Sequence, residues 1–514
     1  MKCFLIGLLL SFSICDASKI LLVFPIQSPS HGILGDNMAK HLLDGGHEVS
    51  GSGPLFICPN HTKLRIIDVT EVSKFFSDKM LNVSQIMSAE LDFQEVDTMF
   101  DMQLLIASET LANKNVQNML KDRKITFDVV IGEYMLTDMF SSFQAVYPCP
   151  FIWFSPYEPH WMILNVVHGP LNPAYNSNYL KAREVPYSFT GRVLELCYEF
   201  LNFSAYYNKE LEVYNKVIAP IIKEQGGPVP DYIKLRYNAS LLMITSQVAI
   251  GSALALPPSV VNIGGYHIDD PAKPLPEDLK KIMDSAKNGV IYFSLGSNIK
   301  SKDLPEEMKQ GLLKMFGGLK QTVLWKLEEN LPNSPKNVHV VQWAPQQSIL
   351  AHPNLVLFVT HGGLLSVTEA VHFAAPLIAI PVFADQFLNV NHAVSKGFAV
   401  KVPITYHLHE DLKVALDKVL GDLPKYAAKA KETSLAYHDS PLKPKDALNY
   451  WVNHVIKTNG APHLRSIALQ IPLYQRVYLD LLAVVVLALV VLLLVVKRIC
   501  CLFSDKKNMK VKTN

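Results

Sequence analysis

The run from Leu481 to Val496 is apolar at every position, with Asp480 before it and Lys497-Arg498 after it. No polar stripe or cap interrupts it, so it cannot be a surface helix with one wet face. Extended by Tyr478, Leu479 and Ile499, it reaches across the roughly 30 Å of a hydrocarbon core once Lys497 and Arg498 snorkel to the interface. A single membrane-spanning helix over 479–499 is therefore expected. Lys497, Arg498, Lys506, Lys507, Lys510 and Lys512 all follow this run. The bias of basic residues toward the cytosol then places the tail, 500–514, there and the bulk of the chain on the other side.

The opposite end agrees with this topology. Met1 to Ala17 begins with Lys2, continues through the apolar run Phe4 to Leu10 and ends in Cys15-Asp16-Ala17. It reads as a secretory signal peptide, because its apolar run falls short of the about 20 residues of a span. The sequons at Asn60, Asn82, Asn202 and Asn238 all lie on the predicted lumenal side. The ending Lys510-Val-Lys512-Thr-Asn514 is similar to the dilysine retrieval signal of endoplasmic-reticulum membrane proteins, although a solvated basic tail has the same composition. Of seven cysteines, Cys58, Cys149 and Cys197 fall in the lumenal body, an odd number that fits no disulfide scaffold. Cys500 and Cys501 sit where juxtamembrane palmitoylation occurs. With a net charge of +2 and its dense basic cluster confined to the C-terminus, the chain offers no surface for nucleic acid.

Between these ends, 514 residues are too many for one core, and short apolar runs alternate with helical patterns. Lys19 to Phe24 reads as a strand, followed by a loop and a helix from Leu34 to Leu43; Phe127 to Ile131 and Phe151 to Phe154 read as further buried strands. A second series starts at Gly289 to Leu295 and continues through strands near Val323, Val338, Leu355 and Leu377. Pro257, Pro258, Pro271, Pro274 and Pro276 separate the two series as a linker would. Alternating strands and helices predict an α/β chain with two doubly wound parallel sheets, and ligands in such sheets bind beyond the carboxyl ends of the strands.

In the second series, Thr360-His361-Gly362-Gly363 lies between a strand and a helix, where backbone amides can meet an anion. It has neither the Gly-Lys-Ser/Thr of a Walker loop nor a G-x-G-x-x-G. Ser366-Val-Thr-Glu369 also matches a capping box, and the pair Asp385-Gln386 alone would be an ordinary helix start. Trp343, after a strand and ahead of Pro345, is placed to offer a stacking surface if it faces a cleft.

Taken together, the segment from Val340 to Asn389 resembles the signature of the UDP-glycosyltransferase family, in particular its animal, insect-type members, and the similarity runs from the signal peptide to Gly460-Ala-Pro-His-Leu-Arg-Ser466. The resemblance implies the GT-B architecture, two facing Rossmann-like domains. Trp343 would then stack on uracil and Gln346 bond the nucleoside. His361, Gly363 and Ser366 would meet the diphosphate, Glu369 the ribose hydroxyls, and Asp385 with Gln386 the sugar. Ser297, in Ser294-Leu-Gly-Ser297, is similar to a second phosphate contact. Relatives carry Asn where Leu365 stands and Gly-Val where Ala374-Ala375 stands. The implied organisation is an acceptor-binding domain over 18–265, a linker over 266–276 and a UDP-sugar domain over 277–436. Helices over 437–478 would pack back toward the first domain and the membrane.

The first domain would supply the base. The resemblance makes His31, in the loop Ser28-Pro-Ser-His31-Gly32, the group that takes a proton from the acceptor hydroxyl; an imidazole suits this because its ordinary pKa lies near neutrality. Such a base leans on a carboxylate. Relatives have an Asp after the strand at Phe127 to Ile131, and this chain offers Glu133, or Asp138 about a helical turn later. After Val49, relatives continue into an apolar strand, whereas here Ser50-Gly-Ser-Gly-Pro54 has a strand-breaking composition. No Asp-x-Asp pair occurs, so a metal-bridged donor is not indicated and no cofactor is expected beyond the donor. The implied reaction is inverting transfer of a hexose, glucose first and glucuronate as the alternative, to a hydroxyl of a small lipophilic acceptor. A silent relative that only binds nucleotide sugar or lipophile is the competing class. A glycoside hydrolase would need two carboxylates across one site and has no use for a uracil-stacking Trp.

Overall fold

The computed structural model describes residues 17–53, 61–73, 96–169, 172, 174, 186–297 and 303–511. The chain divides into two units, Met1–Arg465 and Ser466–Asn514. The larger contains two sheets whose strands all run parallel. The first has seven strands: β1 (Lys19–Val23), β2 (Glu48–Ser52), β3 (Leu64–Ile67), β4 (Val129–Glu133), β5 (Phe151–Ser155), β6 (Leu241–Ile244) and β7 (Val260–Asn262), in the order β3-β2-β1-β4-β5-β6-β7. The second has six: β8 (Val290–Ser294), β9 (Thr322–Lys326), β10 (Val338–Val341), β11 (Leu355–Thr360), β12 (Leu377–Ala379) and β13 (Ala399–Lys401), in the order β10-β9-β8-β11-β12-β13. In both, the direction of winding reverses beside the first strand, between β1 and β4 and between β8 and β11, which opens a crevice at that point.

Burial on both faces explains the near-continuous apolar strands. In β1, Leu21 and Val23 enter one hydrophobic layer while Ile20 and Leu22 enter another. In β11, Leu357 and Val359 pack on one side and Phe358 on the other. Helix α1 (Pro29–Asp44) starts at Pro29, earlier than Leu34, because proline at the first helical position loses no hydrogen bond and already has a helical φ. His31 consequently lies in the first turn of a helix and not in a loop. The Ser50-Gly-Ser-Gly-Pro54 composition also does not end the second strand: β2 pairs with β1 from Lys19↔Glu48 to Val23↔Ser52 and with β3 from Val49↔Leu64 to Ser52↔Ile67. A strand hydrogen-bonded on both edges satisfies its backbone whatever its side chains, and this outweighs the propensity of Gly51.

Helix α2 (Phe189–Val217) carries Glu210 to a buried ionic cluster. Arg236 Nε donates to Asp138 Oδ2 (2.5 Å), a second guanidinium nitrogen lies 3.8 Å from Glu210 Oε2, and Glu210 also accepts from Thr137 Oγ1 (2.8 Å) and Tyr232 Oη (3.2 Å). Burial and the Asp138 charge raise the Glu210 carboxyl, with Arg236 opposing them. Further along, α3 (Leu364–His372) and α4 (Gln386–Ser395) follow β11 and β12. Helix α5 (Pro444–Lys457) returns to the first sheet, where Leu448, Val452 and Val455 join the layer of Ile20 and Leu22.

The smaller unit ends in α6 (Leu479–Val511), whose stretch Leu479–Leu502 contains an 18-residue window of mean hydropathy 3.3 and is long and apolar enough to cross a membrane. The expected signal peptide as far as Asp16, and Asn60, Asn82 and Lys512, lie outside the described residues.

Replacing Arg236 by Met would leave two buried carboxylates without their counter-charge. The expected cost is about 3 kcal/mol, read as a lower denaturant midpoint at unchanged slope.

Candidate active site

The carboxyl ends of both sheets face one cavity of about 410 Å³. On the first-sheet side, α1 delivers His31 and the end of β4 delivers Glu133, which is fully buried. His31 Nδ1 lies 2.5 Å from Glu133 Oε1. An ionised carboxylate only accepts, so Nδ1 carries the proton and Nε2 keeps a lone pair free for another partner. Asp138, the other candidate, is committed to Arg236 and does not partner His31. The backbone explains the choice: Glu133 ends a strand adjacent to β1, whereas Asp138 has passed beyond the left-handed Leu136 (φ 62) and turned under the sheet toward α2. On the His31 side the lining combines apolar Ile33, Leu34, Met99 and Met135 with polar Ser28, Ser30, Asn37 and Gln103, and the Tyr157 ring stands edge-on to the imidazole at 6.5 Å.

On the second-sheet side, the His361 ring is packed closely between glycines. Gly296 has φ +83, and a Cβ there would lie 2.5 Å from the ring; one on Gly363 would lie 2.6 Å from Nε2. Burial, with Lys326 adding to it, lowers His361 to about 4, so near neutrality the ring is uncharged and donates through one nitrogen. Helix α3 has Gly363 as its N-cap, so Ser366 and Glu369 are not a capping box and Glu369 sits inside the helix. Glu369 Oε2 accepts from Gln346 Nε2 (2.6 Å) and Oε1 from Gln347 Nε2 (2.9 Å); Gln346 Nε2 is also 3.1 Å from Ser366 Oγ. Trp343 is 67% exposed despite its size, an open aromatic face at the cleft.

Asp385 begins α4 without capping it; its Oδ2 accepts from Asn389 Nδ2 (2.6 Å). Burial raises its carboxyl to about 6, against the opposing effects of Asn389 and of His31 across the cleft. Gln386 is held by its own loop, its Oε1 accepting from the amides of Val382 (2.8 Å) and Phe383 (3.2 Å), which leaves the amide nitrogen as its free donor group. Ser297 lines the same cavity, so the structure gathers His31 and the nine residues expected at the donor into one cleft. Leu365 lines it too, but packs against the Ile20 and Leu22 layer of the first sheet.

Three contributors escaped sequence reasoning. Lys326, at the end of β9, donates to Gly296 O (3.0 Å) and Glu328 Oε1 (2.7 Å) and puts a buried cation near Trp343, 6.0 Å from its ring centre. A lysine closing an otherwise apolar strand was the available signal. His267 comes from the segment between the sheets, and Glu158 reaches His392 of α4 (2.9 Å) from the loop after β5; long-range juxtapositions of this kind leave no local pattern. Of the described sequons, Asn202 lies within α2 with its amide nitrogen buried, a poor position for a glycan, whereas Asn238 is exposed in a loop. Among the described residues, Cys149, Cys197, Cys500 and Cys501 are free thiols.

Comparison with known proteins bears on this cleft directly. Residues 60–514 match the family model described as "UDP-glucoronosyl and UDP-glucosyl transferase". The chain is 30% identical to UDP-glycosyltransferase UGT5 of Dactylopius coccus, covering 92% of this chain and 89% of the relative. It is also 30% identical to UDP-glucuronosyltransferase 2B15 of Rattus norvegicus, covering 92% of each. Among solved structures, the glycotransferase of kitacinnamycin superposes with a TM-score of 0.56 over 86% of this chain and 99% of that one, and the calicheamicin glycosyltransferase CalG4 with 0.54 over the same shares. At 16% and 15% identity these two speak for the fold, the GT-B arrangement of two Rossmann-like domains.

Trp153, Trp161 and Trp325 are buried and Trp451 is partly covered. Acrylamide should therefore quench Trp343 preferentially, and Trp343→Phe should remove most of the quenchable emission.

Proposed function

The chain belongs to the UDP-glucuronosyl and UDP-glucosyl transferase family, and from that premise we propose that it transfers glucose from UDP-glucose to a hydroxyl of a small lipophilic molecule, with His31 as general base. The observation that carries the reading is the His31–Glu133 pair, opposed across one cleft by Asp385, Glu369 and Trp343. The acceptor hydroxyl gives its proton to His31 Nε2 while its oxygen bonds to the anomeric carbon, and the bond from that carbon to the UDP oxygen breaks with its electron pair leaving on UDP. Attack from the first-sheet side, opposite the departing diphosphate, inverts the anomeric centre. Glu133 holds the tautomer and offsets the charge that His31 acquires.

Compensation for the departing diphosphate falls to the amides at the start of α3, to Ser366, Ser297 and His361, and to Lys326. The reading assigns no cofactor or metal beyond the donor. Trp343 stacks on uracil, Gln346 bonds the nucleoside and Glu369 the ribose. Glucose is placed ahead of glucuronate on the resemblance to insect-type members of the family; Asp385 and Gln386 would bind hydroxyls that both sugars carry. The apolar groups of Met99, Met135 and Tyr157 support a lipophilic acceptor. The signal peptide, the basic residues after the apolar run of α6 and the dilysine-like ending support a single-pass protein of the endoplasmic-reticulum membrane with a lumenal catalytic body.

His31→Ala should lower kcat by about 10³-fold or more with UDP affinity unchanged, and Glu133→Gln by about 10²-fold, while folded Asp138→Asn should lose far less. Single-turnover transfer and calorimetric UDP titration separate these outcomes; full turnover in His31→Ala would place the base elsewhere. Microsomes carrying the protein, offered UDP-glucose or UDP-glucuronate with a panel of phenols and aliphatic alcohols, should yield glucosides. Glucuronides in their place would reverse the donor assignment, and saturable UDP binding without any product would favour a binding protein.

A further inference from the structure

We propose that His267 and Glu369 together hold one hydroxyl of the donor ribose, which makes His267 a residue that selects the nucleoside; this rests on the donor-site reading above. His267 lies on the segment joining the two sheets, is only 4% exposed and lines the cleft. Both of its ring nitrogens are buried with no hydrogen-bond partner. A buried imidazole left in that state is costly, and a site usually retains such a group because a ligand completes it.

The missing partner has a defined position. His267 Nε2 is 3.6 Å from Glu369 Oε1, too far for a direct hydrogen bond. An oxygen about 2.8 Å from each atom fits over a gap of that length. A hydroxyl there accepts from the imidazole N–H at Nε2 and donates to the carboxylate, which gives Nε2 its partner. Each Glu369 oxygen already accepts one hydrogen bond, Oε2 from Gln346 and Oε1 from Gln347, and Oε1, the oxygen 3.6 Å from His267 Nε2, has a second lone pair for this hydroxyl.

Gln347 fixes the gap. Its Nε2 donates both to Glu369 Oε1 (2.9 Å) and to the backbone oxygen of His267 (3.2 Å), and its Oε1 accepts from the Asp269 amide (2.9 Å). One amide side chain thus clips the connecting segment to α3. The Tyr266 ring, edge-on to His267 at 6.3 Å, limits the imidazole from behind. The nucleoside is then read from two parts of the chain, by Trp343, Gln346 and Glu369 of the second sheet and by His267 of the connection.

The test is calorimetric titration of the detergent-solubilised full chain with UDP, 2′-deoxy-UDP and 3′-deoxy-UDP. The wild-type protein should bind UDP about tenfold more tightly than one of the two deoxynucleotides, the usual effect of one lost hydrogen bond at a buried site. His267→Phe should lower UDP affinity to the level of that deoxynucleotide and leave the deoxynucleotide itself unchanged, while His267→Asn, which keeps an N–H, should recover part of the loss. His267→Gln serves for the same comparison if the Phe variant does not fold. An unchanged ratio between UDP and both deoxynucleotides, or an equal loss for all three, would overturn the proposal. A wild-type protein that binds none of the three would overturn the donor-site reading, and this inference with it.

Discussion

A parallel strand covered by helices on both faces can carry a charge only at its ends, because anywhere else the group would lie in an apolar layer without water. The molecule obeys this constraint twice. In the first sheet the interior of β4 is Val129 to Gly132, and its carboxylate, Glu133, is the last residue. In the second, β9 runs through Val323, Leu324 and Trp325 before ending at Lys326, and β11 hands His361 to the following loop. Both sheets wind so that these ends open on a crevice, and the polar groups expelled from two cores collect in one cleft.

The two sides of that cleft are chemically different and tied together by a few specific contacts. The first sheet's side contributes a partly buried imidazole paired with a buried carboxylate; the second contributes an exposed tryptophan, a glycine-framed histidine and hydrogen-bonded glutamines around Glu369. Helix α4 spans the difference. Asp385 at its start feels the opposing effect of His31 across the cleft, and His392 further along pairs with Glu158 of the first sheet's loop. That pair, the packing of Leu365 on the first sheet and the Gln347 clip hold the Asp385 side of the cleft against the His31 side.

Local pattern revealed much of this, and its failures have physical causes. Ser366 and Glu369 have capping-box spacing, yet Gly363 already starts the helix, so the same residues lie inside it and line the cleft. Propensity argued against β2, but pairing on both edges overrode it. Asn202 satisfies a sequon and still has its amide buried, since a tripeptide says nothing about which face of a helix it occupies.

The sequence by itself determined the alternation of strands and helices, the apolar segment after Asp480 and the family signature from Trp343 to Gln386, because periodicity, length and residue type are local properties. Only the tertiary structure decided between Glu133 and Asp138, since the choice depends on a strand neighbour 102 residues from His31 and on an arginine that claims the rival. It alone brought Lys326 and His267 to the cleft. A buried charge or imidazole acquires its meaning from what surrounds it in space, and those surroundings are assembled from distant parts of the chain.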